Sequence, residues 1–318
     1  MNNIKDKLER CQVAIYFGAV VIAFVVAFIC PAMVSMGKLI DGALAFMLFV
    51  TFLQVPLSKL GNALKKGRFL AALLAANFVA IPLLLLLLSQ LLPSDPMIKF
   101  GVFLVLLCPC IDYVVTFSYF GRADSSLLLA STPALLLAQM ILLPVFLGIF
   151  LGESTASLVS IAPFIRAFIW LIVIPLALAG LVQLWAAKKL LGEQVSTVFC
   201  LFPVPATALV LFVVIVSVVP QLKLATDAAI SVAPVYILFA LMAPLLGWGV
   251  GRLFRLEPLA GRAVAFSAGT RNSLVVLALA LAVPGAIPVL PAIIVTQTLV
   301  ELVSEMIYIR FIARLGER

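Results

Sequence analysis

The chain contains no histidine. That absence removes the commonest metal ligand and the commonest general base at neutral pH, so a zinc or haem enzyme is not expected and no metal or cofactor is assigned. Charge is also scarce: Asp, Glu, Lys and Arg together make up 11% of the residues, half or less of the share a soluble domain carries. Five cysteines, Cys11, Cys30, Cys108, Cys110 and Cys200, lie mostly within apolar segments and are read as thiols, not as a disulfide framework. With one Asp deep in an apolar segment and no obvious nucleophile–base pair, an intramembrane enzyme lacks its catalytic groups.

What the chain has instead is apolar length. Hydrophobic residues are 65% of the 318, too many to hide in a core of their own, so the expected solvent is lipid. A membrane span takes about 20 apolar residues. The apolar runs predict helices near 12–30, 38–57, 68–92, 98–119, 125–151, 161–187, 196–219, 227–253, 260–284 and 287–312. The fold class expected is an all-α integral membrane protein of ten transmembrane helices. The polar opening MNNIKDKLER leads straight into a long span and is not read as a removable signal peptide.

The net charge of +8 does not call for nucleic acid, because its distribution marks topology. Sixteen Lys and Arg, from Lys5 to Arg318, fall on one set of alternate connections; the other set receives Lys38, Lys99, Arg166 and Lys223. That bias predicts a multi-pass protein of the cell membrane with both termini cytoplasmic.

Part of the chain looks written twice. Pro133-Ala134 followed by Gln139 recurs as Pro291-Ala292 followed by Gln297, an offset of 158. The division falls near 155–160, giving repeats over 1–157 and 158–318. Five spans in each half force the second to enter the membrane from the opposite side, so the repeats are expected to be inverted, as in many alternating-access carriers.

Upstream of each copy an apolar stretch is broken by helix-hostile residues. The first break is Cys108-Pro109-Cys110-Ile111-Asp112 and the second is Gly269-Thr270-Arg271-Asn272-Ser273. Pro109 removes a backbone donor and clashes with the preceding turn. Gly269 permits unusual dihedrals, while Thr270, Asn272 and Ser273 compete for backbone groups. Paired interruptions of this kind point to a transporter's binding site. Asp112 and Arg271 each cost about 2.5–3.5 kcal/mol at a helix centre. Two readings are open: a static ion pair, or a pair that separates when Asp112 is protonated or an anion binds Arg271. Gln139 and Gln297 either bond between helices or line the site. Cys110, directly after the proline, is a candidate thiolate for a soft ligand such as trivalent arsenic. Thr132, Thr296, Glu301 and Asn77 carry weaker signals, and Glu305 is read as reaching the interface or pairing with Arg310.

The run CPCID after an apolar span, then GTRNS, then VTQTLVEL, resembles the bile acid:sodium symporter superfamily, and within it the arsenic-resistance branch. The resemblance covers nearly the whole chain. It implies crossed discontinuous helices four and nine, a core of spans three to five and eight to ten, and a panel of spans one, two, six and seven. Sodium-coupled members carry a Glu and a Gln where this chain has Ser267 and Arg271, so the resemblance disfavours sodium as the coupling ion. Arsenite exporters carry a Pro-Cys, matched by Pro109-Cys110, and an acidic residue where this chain has Leu274. The function expected is therefore a carrier of arsenite or a small anion, proton-coupled or facilitated. Sodium-coupled uptake of an organic anion and a passive anion channel are the alternatives.

Overall fold

Several helices in this chain open on a proline at a first-turn position. A computed structural model describes residues 7–8, 11–30, 36–37, 39–54, 66–111, 113–156, 169–219, 225–281, 283 and 288–316. In chain order these form α1 (Gln12–Ile29), α2 (Ile40–Gln54), α3 (Gly67–Ala75), a π-helical turn (Ala76–Ala80), α4 (Ile81–Leu88), α5 (Pro96–Leu106), α6 (Tyr113–Phe120), α7 (Ser125–Ala156), α8 (Ile174–Ala186), α9 (Leu190–Phe199), α10 (Pro203–Val218), α11 (Thr226–Leu253), α12 (Pro258–Gly269), α13 (Ser273–Leu281) and α14 (Val289–Phe311). Among the described residues the only extended pairing is one isolated bridge.

The start of α5 shows the local logic. Asp95 accepts hydrogen bonds from the Met97 and Ile98 N–H groups at 2.7 and 3.1 Å, and Pro96 occupies a first-turn position where a missing N–H costs nothing. Pro258 opens α12 in the same way. Pro133, Pro144, Pro234 and Pro244 lie inside continuous helices, as ordinary membrane prolines do. The expected span 196–219 differs from observation: α9 and α10 meet at a break and are bent by 41°, because Pro203 starts a new helix.

Among the described residues, four helical stretches are long and apolar enough to cross a membrane, Gly67–Leu91, Ser125–Phe150, Thr226–Leu253 and Val289–Arg314, with the bent α9–α10 pair as a fifth. Shorter apolar helices cover Ala14–Ile29, Ile40–Gln54, Pro96–Leu106 and Ile174–Ala186. Large apolar side chains face outward throughout: Phe28, Ile29 and Leu190 are each 72% exposed. Water would not tolerate so much exposed apolar surface, and the protein is an all-helical, multi-pass membrane protein.

The chain divides into two compact units, Met1–Val55 with Val159–Thr226 and Leu277–Ala292, and Pro56–Leu158 with Asp227–Val276 and Ile293–Arg318. In the first unit α10 packs along α1 and α2. Phe46 meets Phe199 and Phe202 edge-on, and those two rings are tilted to each other, with ring centroids 6.0–6.5 Å apart. Gln183 caps the end of α2 by donating to the Phe52 and Leu53 carbonyls at 3.1 and 3.2 Å. The second unit holds both interrupted segments. A Cβ on Gly247 would stand 2.6 Å from Ala268 Cβ, and one on Gly269 would stand 2.9 Å from both Pro244 and Tyr308. Only glycine lets the backbone approach this closely at those two positions.

Candidate functional site

Both breaks fall in the second unit, and each completes the other's backbone. Where α5 and α12 end, their last carbonyls and the following amides lose helical partners. Thr270 turns extended, with φ −106° and ψ 130°, which lays the second break antiparallel to the first. Cys110 N–H donates to the Thr270 carbonyl at 3.1 Å and Asn272 N–H to the Cys108 carbonyl at 2.9 Å. Pro109 and Arg271 are the residues facing each other between these two bonds. In such a pair the central N–H and C=O groups point away from the partner strand. Proline's missing donor is therefore not needed there, and Arg271 has its own backbone groups to spend elsewhere.

It spends them on a buried carboxylate cluster. Arg271 N–H donates to Glu301 Oε2 at 2.8 Å, and the Arg271 carbonyl accepts from the Tyr113 hydroxyl at 3.1 Å. That hydroxyl also lies 2.5 Å from Glu301 Oε1. Gln297, one turn before Glu301 on α14, donates to Glu301 Oε2 at 2.5 Å and accepts from Ser273 Oγ. Glu301 is 3% exposed, with the Arg271 amide and Gln297 donating to Oε2 and the Tyr113 hydroxyl against Oε1.

The Arg271 guanidinium, fully buried, closes off two helix ends. It donates to the Ser267 and Ala268 carbonyls at 2.7 Å each, to the Leu106 carbonyl at 3.2 Å and to Asn77 Oδ1 at 2.9 Å. Three of those oxygens belong to the carboxyl-terminal turns of α5 and α12, where the helix dipoles favour a cation. Asn77 is held by its own bonds to the Leu73 carbonyl and Ser267 Oγ, 3.0 and 2.9 Å, and sits in the π-helical turn that interrupts its helix. π turns of this kind often mark functional positions. The Phe239 ring lies 5.5 Å from the guanidinium carbon. Beside the cluster is a cavity of about 10 Å³ bounded by Leu106, Tyr236, Gly269, Gln297 and Glu301, among others; that is about the space of one water molecule.

Most of the expected site residues converge here: Pro109, Cys110, Gly269, Thr270, Arg271, Asn272, Ser273 and Gln297. Asn272 caps α13, its Oδ1 accepting weakly from Val275 N–H at 3.4 Å, and its buried Nδ2 has no hydrogen-bond partner. Cys108 and Cys110 are both fully buried thiols outside any disulfide. Gln139 is buried on α7 with Oε1 unpartnered, and no bond joins it to the network just described. Asp112 lies outside the described residues.

Glu305 departs from expectation. It is fully buried and 2.5 Å from Thr270 Oγ1, not at the interface or on Arg310, because the α14 register places it one turn after Glu301 on the face turned to the crossing. Tyr113 and the full weight of Asn77, Glu301 and Glu305 are absent from the sequence reading, which has Ser267 only as a position where sodium-coupled members differ. The signal available was the one applied to Asp112: an acid or amide isolated in an apolar run needs a partner.

A family model described as the Sodium Bile acid symporter family matches residues 42–228, more than half of the chain. The match takes in Asn77 and the first break. No curated protein matches.

Proposed function

The chain belongs to the Sodium Bile acid symporter family, and on that premise we propose that it is a secondary transporter that moves arsenite or a small anion by alternating access, coupled to protons. In this reading ten spans form two inverted repeats, 1–157 and 158–318, in the cell membrane with both termini cytoplasmic. A core of spans three to five and eight to ten moves against a panel of spans one, two, six and seven. The solute and any proton enter at the crossing of the two breaks.

The observation that carries the reading is the mutual pairing of two helix breaks around buried charge. Irregular backbone at membrane depth is tolerated where it is enclosed by protein or lines a cavity, and each break here satisfies the other through Cys110–Thr270 and Asn272–Cys108 bonds. The two breaks are joined by these main-chain bonds, each worth about 0.5–1.5 kcal/mol net, and by the Arg271–Leu106 and Tyr113–Arg271 contacts. Support for protons over sodium comes from Arg271. Backbone and amide oxygens are the ligands a hard cation takes, and here four of them surround a guanidinium. A tethered cation fills the place a mobile one would use.

The arsenite assignment draws on the two thiols flanking Pro109, ligands suited to a soft element. A small oxyanion or carboxylate is the second reading, favoured by two buried donors without partners, Arg271 Nε and Asn272 Nδ2. Counterflow into proteoliposomes tests both, with arsenite, antimonite and small carboxylates screened across pH and sodium gradients. Saturable counterflow that responds to pH and not to sodium supports the proposal. Flux that fails to saturate and shows no counterflow indicates a channel, and sodium-driven uptake overturns the coupling.

A further inference from the structure

Thr270 has one hydroxyl proton and two oxygen neighbours. Its Oγ1 lies 2.7 Å from the Phe266 carbonyl and 2.5 Å from Glu305 Oε1. A backbone carbonyl has no proton to give, so the contact with Phe266 consumes the Thr270 proton. The contact with Glu305 then needs a proton from Glu305 itself. We propose that Glu305 is a proton-binding site of the crossing: in this conformation it is a neutral carboxylic acid, donating from Oε1 to the Thr270 hydroxyl.

Two further observations point the same way. Glu305 is fully buried, and its second oxygen, Oε2, has no hydrogen-bond partner. An ionised carboxylate left so bare takes up a proton instead of staying charged, whereas the carbonyl oxygen of an acid tolerates the same position far better. The Tyr308 hydroxyl is committed to the Ala240 carbonyl at 2.5 Å, and Gln297 and the Arg271 amide to Glu301. The titratable and charged neighbours are Glu301 and Tyr308 on α14, Arg271 in the second break, Cys108 and Cys110 in the first, and Tyr236 on α11. Arg271 is their one cation, and its terminal nitrogens are spent on the Leu106, Ser267 and Ala268 carbonyls and on Asn77. Any further ionised carboxylate at the crossing makes a charged Glu305 costlier still.

The acid is therefore poised to lose its proton when Thr270 withdraws. That happens if the Cys110–Thr270 and Asn272–Cys108 bonds part and the extended turn at Thr270 relaxes. Glu305 would then meet water and release a proton to it, and would rebind one before the breaks close again. The proton-bound state stands on the geometry alone; its use as the transported proton rests on the proton-coupled reading above.

Infrared difference spectroscopy, neutral minus alkaline pH, on the full chain in phosphatidylcholine vesicles tests the site without a solute. The wild type is expected to show the C=O stretch of a protonated carboxylic acid. Glu305→Gln removes that component and Glu301→Gln keeps it. Thr270→Val keeps the acid but shifts its band to higher frequency, because the hydroxyl acceptor is gone. Absence of the band in the wild type, or its survival at full intensity in Glu305→Gln, overturns the proposal. Arsenite uptake driven by a pH gradient is measured alongside. If the band behaves as expected and wild-type uptake ignores the pH gradient, it is proton coupling that fails, and the protonated Glu305 stands.

Discussion

Replacing Arg271 with alanine tests the tethered-cation account quantitatively. The guanidinium holds four oxygens, three of them helix-terminal carbonyls, at 2.7–3.2 Å. Bonds from a charged donor contribute about 1.5–3 kcal/mol each, but the cation also sheds its hydration on burial, so the sum is not the answer. Breaking a buried charged network by removing one partner costs about 3–5 kcal/mol, and that is the destabilisation expected for Arg271→Ala. The variant leaves an oxygen-lined space facing the carboxyl-terminal ends of two helices. Sodium should enter it: with a Kd of about 10 mM, 100 mM sodium restores about 1.4 kcal/mol. Thermal unfolding in sodium chloride against choline chloride at equal ionic strength reads both effects. The wild type should be indifferent to sodium and the variant should be stabilised by it. A variant within about 1 kcal/mol of wild type, or one indifferent to sodium, refutes the reasoning.

Other substitutions probe the surroundings. Gly269→Ala sets a methyl 2.9 Å from Pro244 and Tyr308 and should cost about 1–3 kcal/mol through overpacking, seen as a lower melting temperature. Tyr113→Phe removes a donor from the Glu301 cluster while keeping the ring; a loss of about 1–3 kcal/mol is expected, and an unchanged melting temperature argues against the Glu301 bond. Cys110→Ser should preserve the fold, since the Cys110 contact at the crossing is made by its backbone, yet abolish arsenite counterflow. Full arsenite flux in that variant removes the thiol from recognition.

The two interruptions were legible because their causes are local. Pro109 cannot continue α5, and in the Gly269–Ser273 run four of the five residues disfavour a helix interior. That the two would pair through main-chain bonds was not legible, since it depends on Thr270 turning extended opposite Pro109. Asn77 was underweighted because its importance comes from a π turn and a contact 194 residues away, neither visible in local sequence. Glu305 was misread for a different reason: its sequence distance from Arg310 suggests depth, whereas the helix rotation that points it at Thr270 decides its environment. Glu301 had the same visible cost as Asp112. Its place on an unbroken helix, with no local interruption beside it, hides its contact with the Arg271 amide from the sequence.

Access to Cys110 from the two sides of the membrane tests the carrier most directly. Cys11, Cys30, Cys108 and Cys200 are replaced, and a membrane-impermeant thiol reagent is applied to sealed, oriented vesicles from outside or from within. The account predicts labelling from either side, with the two rates moving in opposite directions when solute or a pH step shifts the conformation. Rates that rise together from both sides, or a thiol that neither side ever reaches, contradict it.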